Sequence, residues 1–159
     1  MIAYVFWHRP RAGVEIGAYE AALRAFHGSL ASTHSASFRL DALPFAAGEG
    51  YEDWYLVEDW AALGELNAAA VDARHRAPHD AAASRAGQGW GGMYGLVRGE
   101  AEPPPSVRWV DKPPGMPYEP FIASLTPPGV AIWRRMLVLG PAPELCVAEP
   151  GQTGRERVA

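Results

Sequence analysis

From Ile2 to Trp7 the chain is β-branched and aromatic without a polar break, which predicts a strand. Its side chains alternate. Ile2, Tyr4, Phe6 and His8 share one side; Ala3, Val5 and Trp7 share the other. Both sides are largely apolar, so both need cover. Arg9 to Gly13 reads as a turn. From about Glu15 to Leu30, Ile16, Tyr19, Ala22, Leu23, Phe26 and Leu30 recur at helical spacing. Ser35 to Leu43 alternates, with Phe38, Leu40 and Ala42 on one side and Arg39 and Asp41 on the other. Pro44 to Gly50 is a loop, and Asp53 to Glu58 a third strand. Asp59 then suits the N-cap of an alanine-rich helix. More alanine follows "RHRAPHD", Gly87 to Gly92 reads as a break, and Met93 to Arg98 as a fourth strand. The order is βαββαβ, with helices over one face of an antiparallel sheet: a ferredoxin-like half at 1–99.

Residues 100–106, "EAEPPPS", read as a Pro-rich, semi-rigid linker. Beyond it lie a strand at 107–110, a short helix at 118–125, and strands at 131–139 and 144–149 around "GPAP". This shortened second half, 107–149, has the order βαββ. The polar stretch 150–159 reads as a flexible tail. The halves look like copies. "FWHRPRAG" with Tyr19-Glu20 downstream corresponds to "RWVDKPPG" with Tyr118-Glu119 downstream. Trp7 then matches Trp109, and Gly13 matches Gly115.

That repeat resembles the dimeric α+β barrel superfamily. There, two ferredoxin-like sheets pack face to face, from two chains or from two halves of one. The opening strand, "HRPRAG" and a helix ending in "FHGSL" are similar to EthD-like members, with His27 near the helix end. The resemblance implies an α+β fold of two antiparallel sheets facing each other, closed within one chain or as a homodimer. It also implies small-molecule chemistry without metal or tight cofactor, of the oxygenase or isomerase kind. Fold alone does not fix function. A non-catalytic binding or assembly protein stays open, as does haem held by His27 or His75.

Composition narrows the classes. The 159 residues carry a formal net charge of −4 and no basic stripe, which argues against nucleic acid. No run reaches the ~20 apolar residues of a membrane-spanning helix. The opening residues lack the pattern of a signal peptide. A cytoplasmic location is expected. One cysteine, Cys146, excludes an intrachain disulfide, and its place in an alternating strand marks it as core.

The candidate chemistry comes from strand parity. If the helices cover one side of the first strand, the other must meet a second sheet. The side carrying Tyr4, Phe6 and His8 is the better cavity lining. His8 is the candidate proton acceptor. Arg39 or Arg134 would hold an anionic oxygen, and Phe6, Asp41 and Tyr55 would complete a pocket for a compact aromatic or acidic ligand. The competing reading places these charges on exposed strand edges. In "RHRAPHD", His75 and His79 have metal-ligand spacing, but Pro78 lies between them. Proline inside a helix costs ~3 kcal/mol. The expectation is therefore a junction with Pro78 starting a new helix, diverging rings and no metal site.

Overall fold

The computed structural model describes residues 1–30, 34–125, 130–149 and 154–159, with only the backbone at Val138 and Leu139. Its strands are β1 (Ile2–Pro10), β2 (His34–Leu40), β3 (Gly50–Val57), β4 (Ala86–Arg98), β5 (Val107–Val110), β6 (Ile132–Leu139), β7 (Leu145–Ala148) and β8 (Arg155–Arg157). Its helices are α1 (Ile16–Ser29), α2 (Trp60–Ala70), α3 (Arg76–Ala83) and α4 (Tyr118–Leu125). None of them is long and apolar enough to cross a membrane, among the described residues.

The strands form one antiparallel sheet in the order β5-β7-β6-β4-β1-β3-β2-β8. This corrects the expectation of two separate sheets facing each other. The join is β4 to β6: Gly91 pairs with Leu139 and Gly95 with Arg134. The sheet curls, so β5 returns over β1 and β3. Trp109 lies 5.0 Å from Trp7 and 6.0 Å from Trp54, ring centre to ring centre. Inside the curl sits the main core, with Ala3, Val5, Trp7, Trp54, Tyr94 and Trp133 all fully buried.

Helices α1, α2 and α3 lie on the other side of the sheet, against Ile2, Tyr4, Tyr51, Tyr55 and Met93. The face carrying Tyr4, Phe6 and His8 is thus covered by helices rather than by a second sheet. Ala3, Val5 and Trp7 are the residues that meet the curled-over strands. The reason is size. Small Ala3 and Ala36 and the flat indoles let strand approach strand inside the curl. The helix side keeps rings of several sizes.

Local signals account for the helix ends. Glu15 accepts from the backbone N–H groups of Gly17 and Ala18, and Asp59 from that of Ala62. Gly13 and Gly115 each take positive φ, 82° and 78°, in the turns after β1 and β5. The order β5-β7-β6 repeats β1-β3-β2.

Three expectations need revision. β4 begins at Ala86, not Met93, so the glycine-rich stretch is strand. The "RHRAPHD" helix starts at Arg76, so Pro78 is its third residue, still within the turn whose N–H groups lack helical partners. The tail, expected to be flexible, supplies β8: Phe38, Arg39 and Leu40 pair with Arg157, Glu156 and Arg155. Residues 150–153 of that tail lie outside the described residues.

Candidate functional site

Between the helices and the sheet lies a cavity of about 670 Å³. Its floor is Tyr4, Phe6 and Met93 on the sheet. Leu23 and Phe26 of α1, Leu63 and Leu66 of α2, and Ala82 of α3 form the walls. His8, Tyr19, Asp53 and Tyr55 give it one polar end.

That floor depends on β4. Gly91 pairs with Phe6 and Gly89 with His8, so β4 presents almost no side chain there. A Cβ on Gly91 would lie 2.9 Å from the Tyr4 ring, and one on Gly89 would strike the Phe6 ring. The bare strand lets both rings lie across it.

The polar end is assembled from β1, α1 and β3. His8 makes the last pair of β1 with β3, opposite Tyr51. Asp53 sits opposite Phe6, one pleat away on the same face. His8 Nδ1 lies 2.5 Å from the Tyr19 hydroxyl, and its Nε2 lies 3.1 Å from Asp53 Oδ2, out of line for a hydrogen bond. The same Oδ2 accepts from the Tyr55 hydroxyl at 3.0 Å and lies 3.4 Å from His27 Nε2. His27 Nδ1 meets Ser35 Oγ at 2.9 Å. Asp53 Oδ1 has no hydrogen-bond partner. Asp53 and His8 are each only 2% exposed.

Electrostatics follow from this packing. Burial pushes the Asp53 carboxyl up, but the imidazoles of His8 and His27 outweigh it and hold it well below the usual carboxylate range. The site therefore contains a carboxylate. Burial and that carboxylate push the Tyr55, Tyr19 and Tyr4 hydroxyls up, so all three keep their protons. Aromatic stacking fixes the rings: His8 lies parallel to Tyr51, 5.5 Å apart at 6°, and His27 to Tyr55, 5.0 Å apart at 9°.

Of the residues singled out from sequence, Tyr4, Phe6, His8 and Tyr55 come together here. Arg39, Asp41 and Arg134 do not. Arg39 is captured near the sheet edge by Glu20, at 3.2 Å, and by Glu156. Asp41 lies beyond the end of β2, exposed, in a separate hollow with Arg108 and Arg155. Arg134 is on β6, over the ring of Tyr118 at 4.8 Å. The sheet order puts β4 between β6 and β1, and Arg134 is not among the residues that line the cavity. Tyr19 and His27 are partners that strand parity does not single out, and Asp53 is the acid that parity does not prefer over Asp41. Asp53 had a visible signal, since it alternates in phase with Tyr55.

His75 and His79 each have their own aspartate. His75 Nδ1 lies 2.8 Å from Asp72, and His79 Nδ1 lies 3.0 Å from Asp80. His79 also lines the cavity, against Phe26. Cys146 is fully buried, and that burial pushes its thiol up, so it is a packing residue.

Comparison with protein-family models, with curated proteins and with solved structures returns no match for this chain.

Proposed function

We propose that this cavity is the active site of a small-molecule enzyme, with His8 as its proton acceptor and a compact, largely apolar organic molecule as its substrate. The observation that carries the reading is a buried imidazole–carboxylate pair at the polar end of a chamber lined mostly by apolar side chains. Such a pair, placed among rings, is the common arrangement for moving a proton on a bound organic molecule.

The proton path follows from the contacts. With Asp53 ionised, His8 Nε2 carries the hydrogen on the carboxylate side, and Nδ1 is the acceptor facing Tyr19. A substrate hydrogen passes to the Tyr19 oxygen as Tyr19 passes its own to His8 Nδ1. The substrate loses one proton, His8 gains one, and Tyr19 ends neutral. Asp53 stabilises the imidazolium so formed. Tyr55 and His27 hold Asp53 in place. No step needs a metal or a tightly bound cofactor.

The proposed architecture is a dimeric α+β barrel closed within one chain. A ferredoxin-like unit, β1 to β4 with α1 to α3, would be followed by the shortened unit β5-α4-β6-β7. The matching strand orders, the matching positive-φ glycines and the β4–β6 join support it. On this reading β8 stands at the edge of β2, where the missing last strand of the second unit would pair. The family resemblance and its oxygenase or isomerase chemistry belong to the same proposal.

The test compares wild type with His8→Gln and Tyr19→Phe against a panel of phenolic and enolic compounds, with products followed by mass spectrometry. Wild type is expected to convert at least one compound it binds. Both variants should keep binding it and lose about 100-fold or more in turnover. Binding by wild type with no conversion would leave a binding protein in place of an enzyme. Unimpaired variants would remove His8 from the mechanism.

A further inference from the structure

Resting on the chamber reading above, we infer that the molecule it takes is an uncharged ring system bearing a hydroxyl or N–H donor, and that carboxylates are turned away. The polar end is unevenly satisfied. Asp53 Oδ2 has Tyr55, His8 and His27 around it, while Oδ1, equally buried, has no partner. An ionised carboxylate only accepts hydrogen bonds, so the group that completes it must donate. A buried acceptor left unpaired is costly, and a ligand that supplies the donor recovers that cost on binding.

The walls argue in the same direction. Among the described residues that line the cavity there is no Lys or Arg. The guanidinium expected from sequence, Arg39, is held outside by Glu20 and Glu156. An anion entering the chamber would meet the ionised Asp53 with no Lys or Arg to pair with, in a space too apolar to hydrate it. The surfaces on offer are flat. Tyr4 stacks on Tyr55 with centres 5.9 Å apart, and Phe6 on His8 with centres 5.4 Å apart. They present ring faces to a ring. An ammonium ligand would also satisfy a carboxylate. Here two imidazoles already neighbour that carboxylate, and dehydrating an ammonium among these rings is expensive. The neutral donor is the better fit.

The test uses four probes of one shape: naphthol, naphthoate, naphthylmethylammonium and naphthalene. Affinities for the purified chain are measured by calorimetry at about pH 7, where the second is anionic and the third cationic. Naphthol should bind about tenfold or more tighter than each of the others. Asp53→Asn should erase that advantage over naphthalene. Because this variant also perturbs a buried cluster, a measurement on wild type accompanies it: affinity for naphthol should fall as pH rises through naphthol's own ionisation. Naphthoate or the ammonium binding as tightly as naphthol would overturn the inference and leave the chamber reading intact. Binding of none of the four would overturn the chamber reading, and the inference with it.

Discussion

Asp53 shows how one side chain can organise a site. Its shift has a defined sign and therefore a defined pH signature. The ordinary carboxyl value is 3.8, and the folded value is lower, because the neighbouring imidazoles outweigh burial. A carboxyl lowered on folding adds stability above its unfolded value and loses it as pH falls through the folded one. The expected outcome concerns the gap in urea midpoint between wild type and Asp53→Asn. That gap should be full at pH 5–6, narrow below about pH 4, and vanish in stronger acid. A gap that widened on acidification would mean that Asp53 is protonated in the folded chain. The residue scale is also where the sequence was least informative. Parity put Tyr4, Phe6 and His8 on one side of β1, as found. It could not tell which acid would reach His8. Asp41 and Asp53 are both on alternating strands, and only the pairing of β1 with β3 puts Asp53 next to His8.

At the scale of elements, periodicity located α1, α4, β1, β3 and the β6–β7 hairpin to within a few residues, because each is amphipathic or β-branched along its own length. It failed at β4 and β8 for two different reasons. Glycine carries no hydrophobic signal, so the first half of β4 reads as a break; what holds Gly89 and Gly91 in the sheet is their pairing with β1, whose Phe6 and Tyr4 rings lie across them. β8 is a polar strand of three residues whose partners are more than a hundred positions away, so nothing local marks it. The β4 glycines can be tested. Gly91→Ala gains about 0.4–1 kcal/mol from a stiffer unfolded chain. It also forces the Tyr4 ring to move, since the new Cβ would sit 2.9 Å from it, at a cost of about 1–3 kcal/mol. The second effect is the larger. A net loss of about 1 kcal/mol is expected by urea denaturation, together with weaker binding of naphthol as Tyr4 tilts into the cavity. A more stable variant with unchanged affinity would mean that the close approach of ring to backbone has no role.

For the whole molecule, the decisive contact joins its two ends inside the curl. Glu52 of β3 is fully buried, and indoles from β1, β3 and β5 converge on it. Trp7 and Trp109 donate to Oε2 at 2.8 and 3.0 Å, and Trp54 to Oε1 at 2.6 Å. Arg155 of β8 donates to Oε1 at 2.5 Å, lies over the Phe38 ring at 3.7 Å, and donates to the Pro104 carbonyl at 3.2 Å. The matched residues Trp7 and Trp109 thus grip the same oxygen, and the tail closes the remaining side. This arrangement predicts an unequal response to removing either partner. Glu52→Gln leaves a buried guanidinium without its counter-charge and replaces an acceptor by an amide whose NH₂ meets other donors. The expected loss is about 3–5 kcal/mol. Arg155→Met leaves Glu52 with its three indole donors and fills the same space with an apolar chain, so a loss of about 1–3 kcal/mol is expected. Combining the two should cost less than the sum of the single changes, because the second substitution removes the charge that the first left unpaired. Urea denaturation of the three variants measures each loss. Additive losses, or a larger loss for Arg155→Met than for Glu52→Gln, would show that the tail does not lock the curl through this carboxylate.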